Sequence, residues 1–199
     1  MAYQLGFDIQ ALIDEATLEA AGPWQGAPLG YTSDYYTPTE LAEAFERFIL
    51  ENGHFNCLAR SHMWRPLLTQ RPLVVAGHEL HALMAMTRCS HEDHDHEDLS
   101  AAGGYQANCP NCRWHVIAAD EDSVIEALHD HAMPGWRDLP VMPGEVNEKS
   151  RRAWVEEHYP AEWQFIGAPV LTVRARNATR HVEGRSPFGG YDLCAEVAS

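Results

Sequence analysis

The sequence predicts an α+β fold in which one compact domain spans residues 1–199. Three observations support this prediction: helical periodicity in the first quarter of the chain, strand-like segments on both sides of a central Cys-x-x-Cys pair, and a strand-rich segment near the C-terminus. We divide the domain into a helical N-terminal part (1–56), a central ββα-like unit (73–141), and a helix followed by a β-hairpin (142–199).

The composition is that of an ordinary globular protein. Apolar residues make up 45% of the chain, which is enough for a hydrophobic core. No uninterrupted apolar run reaches about 18 residues, and the N-terminus has no secretory signal, so we expect a cytoplasmic protein with no membrane partner. The five cysteines are then expected to be reduced or metal-bound; they are Cys57, Cys89, Cys109, Cys112 and Cys194.

The net charge of −15 is unevenly distributed along the chain. Residues 1–56 carry a net charge of −8 and residues 91–148 carry −11, whereas residues 57–90 and 149–199 are slightly basic. This balance disfavours phosphate-driven binding to nucleic acid, so a protein partner is the better expectation. A solubilising acidic surface and a mimic of nucleic acid are the alternatives.

Two helices are predicted in the N-terminal part. Apolar residues at helical spacing indicate the first over Asp8–Ala20, which Gly22 and Pro23 end. The second begins at Thr37-Pro38-Thr39-Glu40, which has the residue types of a capping box with proline in the first helical position. Gly53 is expected to end it.

The segment from Val74 to Cys89 is expected to form strands. Within it, His78-Glu79-Leu80-His81 resembles a metalloprotease motif but is one residue short of the required His spacing. We therefore assign these two histidines solvent-facing or capping roles. Residues 91–104 are expected to form a polar linker, although three histidines there offer ligands for a second metal ion; they are His91, His94 and His96.

The run Cys109-Pro110-Asn111-Cys112 predicts a metal-binding knuckle, because its tight turn directs two thiolates at one ion. Strand-like residues lie on both sides of it. Acidic residues at 120–122 then start a helix that Pro134 and Gly135 terminate. The predicted order is strand, knuckle, strand and helix, with an imidazole near the helix end closing the site.

The remaining ligands are chosen by position. His131 lies on the apolar face of the predicted helix and is our choice, with His129 as its substitute. Cys89 ends a strand-like run and is the best fourth ligand, with His91 as its substitute. Four protein ligands leave no open position on the ion, so we predict one structural Zn²⁺ and no catalytic residue. The predicted set is Cys89, Cys109, Cys112 and His131.

Other chemistries for the cysteine pair are less well supported. Two free thiols in a turn, or a redox pair, are the main alternatives, but a redox pair normally lies at a helix start and strand-like residues follow this one. A zinc deaminase would need His-x-Glu upstream of Pro-Cys-x-x-Cys. Here Pro110 lies inside the pair, and His91-Glu92-Asp93 has no Glu at the third position.

The C-terminal part is predicted to hold one helix and one hairpin. Helical spacing covers Glu148–Tyr159, and Pro160 follows its end. Residues 169–176 and 179–184 are expected to pair about a turn at Asn177-Ala178. Arginines would give this hairpin a basic surface.

Three segments together resemble an uncharacterised family of actinobacterial and actinophage proteins. They are the Cys109-x-x-Cys112-x-Trp114 run followed by 130–141 (DHAMPGWRDLPV), the segment 61–65 (SHMWR), and the closing Gly189-Gly190-Tyr191-Asp192-x-Cys194. The resemblance would cover most of the chain. It implies a bacterial or phage setting, here the cytoplasm of a bacterial host cell, and it favours zinc, but it implies no activity.

Two classes of function follow from these observations. The first is a zinc-stabilised acidic binding or regulatory protein that acts through protein–protein contacts, and we favour it because no catalytic set appears at a recognisable spacing. The second is a metal-dependent enzyme that gathers His62, Arg65 and His181 in a cleft, or uses a second metal in the His-rich loop. A zinc-finger-like protein associated with nucleic acid is a third alternative.

Overall fold

The computed structural model describes residues 9–52, 62–67, 72–87, 102–144, 146–173 and 181–195. These residues form four α-helices and seven strands: α1 (Ile9–Ala21), α2 (Pro38–Asn52), α3 (Glu121–Ala132), α4 (Glu148–His158), β1 (Arg65–Pro66), β2 (Leu73–Val75), β3 (His78–Met84), β4 (Tyr105–Cys109), β5 (Trp114–Ala118), β6 (Val170–Thr172) and β7 (Asp192–Cys194). The mixture of helices with an antiparallel sheet confirms the α+β class. None of the helices in these ranges is long and apolar enough to cross a membrane.

An antiparallel sheet runs through the centre of the fold in the order β1-β3-β4-β5, and β2 also pairs with β3. The link between β2 and β3 is a two-residue turn at Ala76-Gly77, where both φ angles are positive (48° and 81°). Such a turn matches the right-handed twist of the strands that it joins, so it fixes their register. It also places the start of β3 at one end of the sheet.

Helices cover both faces of this sheet. On one face, α3 buries Val124, Leu128 and Ala132 against Leu80 and Ala107. On the opposite face, α2 and the segment before it bury a second apolar cluster that includes Leu41, Ala44, Trp64 and Leu83. The sheet is therefore the middle of three layers, and residues on β3 and β5 reach both cores.

Local signals place the helix starts correctly. At α2 the predicted capping box forms: the Glu40 backbone N–H donates to Thr37 Oγ1 at 3.2 Å, and the Thr37 N–H donates to Glu40 Oε2 at 2.7 Å. At α3 the Ser123 N–H donates to Asp120 Oδ1 at 2.8 Å. These side chains accept hydrogen bonds from backbone N–H groups that the first helical turn leaves unpaired. For this reason the sequence pattern locates the starts of both helices.

The predicted C-terminal hairpin is not the pairing that the structure shows. Strand β6 pairs in parallel with β7, and Val182 forms an antiparallel bridge with Asp192 on the other side of β7. The expected turn at 177–178 lies outside the described residues. Both strands are largely buried, with Leu193 among the most buried side chains, and parallel pairing is typical of strands that are covered on both faces.

A third apolar cluster joins α4 to β6 and β7, and Tyr159 lies within it. The Leu171 backbone N–H donates to the Tyr159 hydroxyl oxygen at 2.9 Å. Burial raises the pKa of Tyr159 to about 12. The neutral phenol is thus the form that the folded state favours.

We expect Tyr159→Phe to lower the free energy of unfolding by about 1 kcal/mol at pH 8, because the buried Leu171 N–H loses its acceptor. Above pH 10 the unfolded tyrosine ionises before the folded one, so wild-type stability should fall between pH 10 and 12 by a further 2 to 3 kcal/mol, roughly. The phenylalanine variant lacks the part of this decline that comes from ionisation of Tyr159. Urea unfolding of both proteins at pH 8, 10 and 11 measures the difference. If the free energies of unfolding of the two proteins fall in parallel with pH, the prediction is wrong.

Candidate metal centre

Four side chains converge at one end of the sheet, and their ligand atoms all lie within 4.8 Å of one another. They are two imidazoles and two thiols, namely His78, Cys109, Cys112 and His131. Thiolate sulfur and imidazole nitrogen in a group of four are the donors that a tetrahedral metal ion takes in proteins. The cluster is therefore a candidate metal centre.

Each ligand is brought to the centre by a different element. His78 is the first residue of β3, and Cys109 is the last of β4. Cys112 ends the short 3₁₀ turn Pro110–Cys112, and His131 lies in the last turn of α3. The cluster thus joins the paired strands β3 and β4 to the last turn of α3, which also packs against them through apolar side chains.

The knuckle is held in place by backbone geometry. Arg113 adopts a left-handed conformation (φ 52°, ψ 41°), and its N–H donates to the Pro110 carbonyl at 3.1 Å. The Asn111 Nδ2 donates to the Gly77 carbonyl at 2.9 Å, which fastens the knuckle to the β2–β3 turn. Because His78 directly follows that turn, the same contact sets the position of His78 relative to the two thiols.

The distances among these atoms suit tetrahedral coordination. His78 Nδ1 lies 3.6 Å from Cys109 Sγ and 3.4 Å from Cys112 Sγ. An ion with Zn–S bonds of about 2.3 Å and Zn–N bonds of about 2.0 Å would separate neighbouring N and S ligands by about 3.5 Å.

His131 supplies an independent indication of a metal ion. Its ring stacks on Trp114 with centroids 4.3 Å apart and planes 2° apart, and it meets the His78 ring edge-on at 4.9 Å. Its Nε2 is buried and has no hydrogen-bond partner in the structure. A buried ring nitrogen without a partner is costly, and a bound cation would satisfy it.

The protonation states also fit a cation. Burial, with a further contribution from His78, lowers the pKa of His131, so the imidazole is neutral, as a metal ligand must be. Cys109 and Cys112 are free thiols and form no disulfide with each other. Desolvation and the adjacent Cys109 raise the pKa of Cys112. A cation between the two sulfurs would reverse that effect by stabilising both thiolates.

The structure places the predicted ligands as follows. Cys109, Cys112 and His131 all belong to the cluster. Cys89 and His91 lie outside the described residues. His129 lies in the apolar core instead, where its Nδ1–H donates to the Ile125 carbonyl at 2.7 Å and its ring contacts Trp136 and Tyr191 edge-on. Residues that are two positions apart on a helix point about 200° apart around its axis, which explains why His129 and His131 have different surroundings.

His78 is the member of the cluster that sequence reasoning misses, since the sequence favours a solvent-facing or capping role for it. The strand register brings it to the centre: His81 pairs with Asn108, so continuing the antiparallel ladder places His78 opposite the knuckle. The available signal was a histidine at the start of a strand, one residue after an Ala-Gly turn. That signal is too common to select His78 without knowing which strand β3 pairs with.

The residues proposed for an enzyme cleft have separate contacts. His62 Nδ1 contacts the Met86 carbonyl, and the Arg65 guanidinium lies 6.0 Å from the centre of the Phe45 ring. His181 belongs to another part of the molecule: its Nε2–H donates to Glu126 Oε1 at 3.0 Å, and its Nδ1 accepts from the Cys194 N–H at 3.0 Å. Both ring nitrogens of His181 are therefore engaged. His91, His94 and His96 lie outside the described residues.

Comparison with known sequences identifies the chain at the family level. It matches no curated protein and no solved structure. A sequence model of a family of unknown function, DUF6349, matches residues 26–199, which include all four residues of the candidate centre. The expected membership in an uncharacterised family is thus confirmed, while the actinobacterial or phage origin stays a prediction. The chain belongs to this family of unknown function.

Proposed function

We propose that this protein is a zinc-stabilised acidic binding protein. The observation that carries the proposal is the convergence of two thiols and two imidazoles, which is the donor set of structural zinc sites. Thiolate ligands select against Mg²⁺ and Ca²⁺, and a compact tetrahedral S₂N₂ set suits Zn²⁺. Four protein ligands leave no place for substrate or water, so the ion would stabilise the fold and take no part in catalysis.

The setting follows from the resemblance described above, which supports a bacterial or phage protein. Reduced cysteines suit the cytoplasm of a bacterial host cell. In that compartment a structural zinc ion does what a disulfide does outside the cell: it cross-links segments of a modest core.

Native mass spectrometry before and after acid denaturation tests the zinc assignment. We expect one zinc ion per chain in the native protein and none after denaturation, because protonated thiols and imidazoles cannot bind the ion. A native protein without metal, or with a metal ion other than zinc, would overturn the assignment.

The ligand set makes a sharper prediction. His78→Ala should lower the affinity for zinc by at least tenfold, whereas Cys89→Ser should leave one tightly bound ion, because His78 is in the cluster and already completes four ligands. Competition with a chromogenic chelator measures both affinities. If Cys89→Ser loses zinc and His78→Ala retains it, the set expected from the sequence alone is the right one.

The binding role is supported by an exposed apolar surface on α1. Ile9, Leu12 and Ile13 lie at helical spacing and are 68%, 56% and 52% exposed. The same helix carries three acids and no base, and residues 1–56 as a whole carry nine acids and one base. Apolar patches on a surface often mark binding sites. The charge indicates a basic protein segment with apolar residues of its own, and it opposes both nucleic acid and a second acidic copy of this chain.

A model peptide tests this surface. We expect the full chain to bind an amphipathic helical peptide with leucine on one face and lysine on the other. The double variant Leu12→Ser, Ile13→Ser should bind this peptide at least tenfold more weakly in titration calorimetry. Ile166→Ser is the matched control, because Ile166 is 87% exposed elsewhere. Unchanged affinity in the double variant, or equal loss in the Ile166 variant, would show that α1 is not the docking surface.

A further inference from the structure

The two thiols of the metal centre differ sharply in exposure. Cys109 is fully buried, and Cys112 is exposed. Structural zinc sites gain their inertness from enclosure, because oxidation of a thiolate depends on access as well as on its charge. One ligand of this centre is therefore protected from oxidants in solution, while the other is open to them.

From this asymmetry we infer that the metal centre is a redox switch, in which hydrogen peroxide converts Cys109 and Cys112 to a disulfide and releases the ion. The inference rests on the proposed zinc site. Exposed Cys112 is the thiolate that meets the oxidant, and buried Cys109 is the thiol that resolves the product. Such a pairing of an accessible thiol with a resolving neighbour is what reversible thiol sensors require.

The geometry permits this reaction with little movement. Both sulfurs belong to one tight turn, and they already lie within 4.8 Å of each other. A disulfide needs the sulfurs about 2.05 Å apart. Cys112 is exposed, so a rotation of its side chain toward Cys109 is less restricted than it would be in a packed core. No third thiol belongs to the cluster among the described residues, so Cys109 is the thiol with which Cys112 would pair.

The chemistry balances in two steps. First, the Cys112 thiolate attacks one oxygen of peroxide, the O–O bond breaks, and the departing hydroxide takes a proton to become water, leaving a sulfenic acid. Second, the Cys109 thiolate attacks the Cys112 sulfur, the S–O bond breaks, and a second hydroxide takes a proton. Two thiolates, one peroxide and two protons give one disulfide and two waters, and the two electrons pass to peroxide.

The structural consequence follows from what the ion connects. After oxidation only His78 and His131 remain as ligands, and two imidazoles do not hold zinc tightly. The link from β3 and the knuckle to the last turn of α3 is then lost. We expect the end of α3 to loosen in the oxidised protein, which gives the oxidant control over the central unit.

Peroxide titration of the zinc-loaded full chain tests the switch. Zinc release is followed with a chromogenic chelator, and disulfide formation by a loss of about 2 Da in intact mass followed by peptide mapping. We expect one zinc released per Cys109–Cys112 disulfide, and recovery of zinc binding after dithiothreitol and added zinc. Amide hydrogen exchange should rise at the C-terminal end of α3 in the oxidised form.

Two variants make the result decisive. Cys112→His retains a nitrogen ligand but removes the exposed thiol, so it should hold zinc and release it at least tenfold more slowly under peroxide. Cys194→Ser removes a thiol outside the cluster and should behave like wild type. Zinc retained by the wild type under peroxide, release without the Cys109–Cys112 disulfide, or equal release from Cys112→His would overturn the switch while leaving the zinc site intact. A chain that binds no zinc at the outset would overturn the proposed function itself.

Discussion

Cys109→Ser should abolish zinc binding and lower the free energy of unfolding by at least 4 kcal/mol, roughly. Cys109 is fully buried and is the ligand that lies deepest in the centre. Serine is a poor zinc ligand. The substitution therefore leaves a buried hydroxyl beside three side chains that have lost their metal ion. For a chain of this length, such a loss corresponds to a fall in Tm of about 10 °C or more. Thermal unfolding monitored by circular dichroism, together with metal analysis, measures both effects.

A chelator gives the matching control. Wild-type protein stripped of zinc should unfold near the temperature of the Cys109→Ser variant, because both lack the ion that binds only the folded state. Added chelator should then leave the variant unchanged. Cys194→Ser, which alters a thiol outside the cluster, should keep the wild-type Tm within about 2 °C. A chelator that leaves wild-type Tm unchanged would show that zinc contributes nothing to stability.

Gly190→Ala should be the most damaging substitution remote from the metal centre, with a loss of about 3 kcal/mol or more. A Cβ atom at Gly190 would lie closer than 3.0 Å to the carbonyl oxygens of Gly167 and Ala168. Both residues are tied to the segment that precedes Gly190: the Gly167 N–H donates to the Phe188 carbonyl at 2.8 Å, and the Ala168 carbonyl accepts from the Ser186 hydroxyl. The two backbone segments would therefore have to separate.

Gly189→Ala is a control one residue away. Gly189 has a φ of +78°, but nothing lies within 4 Å of an added Cβ. The cost there is only that of a left-handed alanine, about 1 kcal/mol. Urea unfolding of both variants compares them. Equal losses at the two positions would mean that backbone conformation, and not the close approach to 167–168, explains why position 190 is glycine.

Several features of the fold could be predicted because their causes are local. The capping box at Thr37 and the cap at Asp120 lie within four residues of the groups that they satisfy. The strand–knuckle–strand–helix order around Cys109 and Cys112 is confirmed, since turn chemistry and periodicity are properties of short segments. The choice of His131 rested on the same kind of information, because residues on one helical face share their surroundings.

Other features depended on contacts between distant segments. The sequence indicated strands near His78 and near Val170, but not which strands they would join. His78 reaches the metal centre only because β3 pairs with β4 in a register that places it opposite the knuckle. Within the described part of the chain, strand β6 pairs with β7, about 20 residues away, and not with residues 181–184, because burial of the two strands outweighs the shorter loop of a hairpin.

The sequence by itself thus determined the α+β class, the helix starts, the cysteine knuckle and the helical imidazole. The tertiary structure alone decided the fourth member of the candidate metal centre, His78, and the parallel pairing of the C-terminal strands. The physical reason is the same for both. Caps and turns are stabilised by atoms a few residues apart, whereas strand register is set by the burial of whole apolar faces, and that burial depends on every segment packed against them.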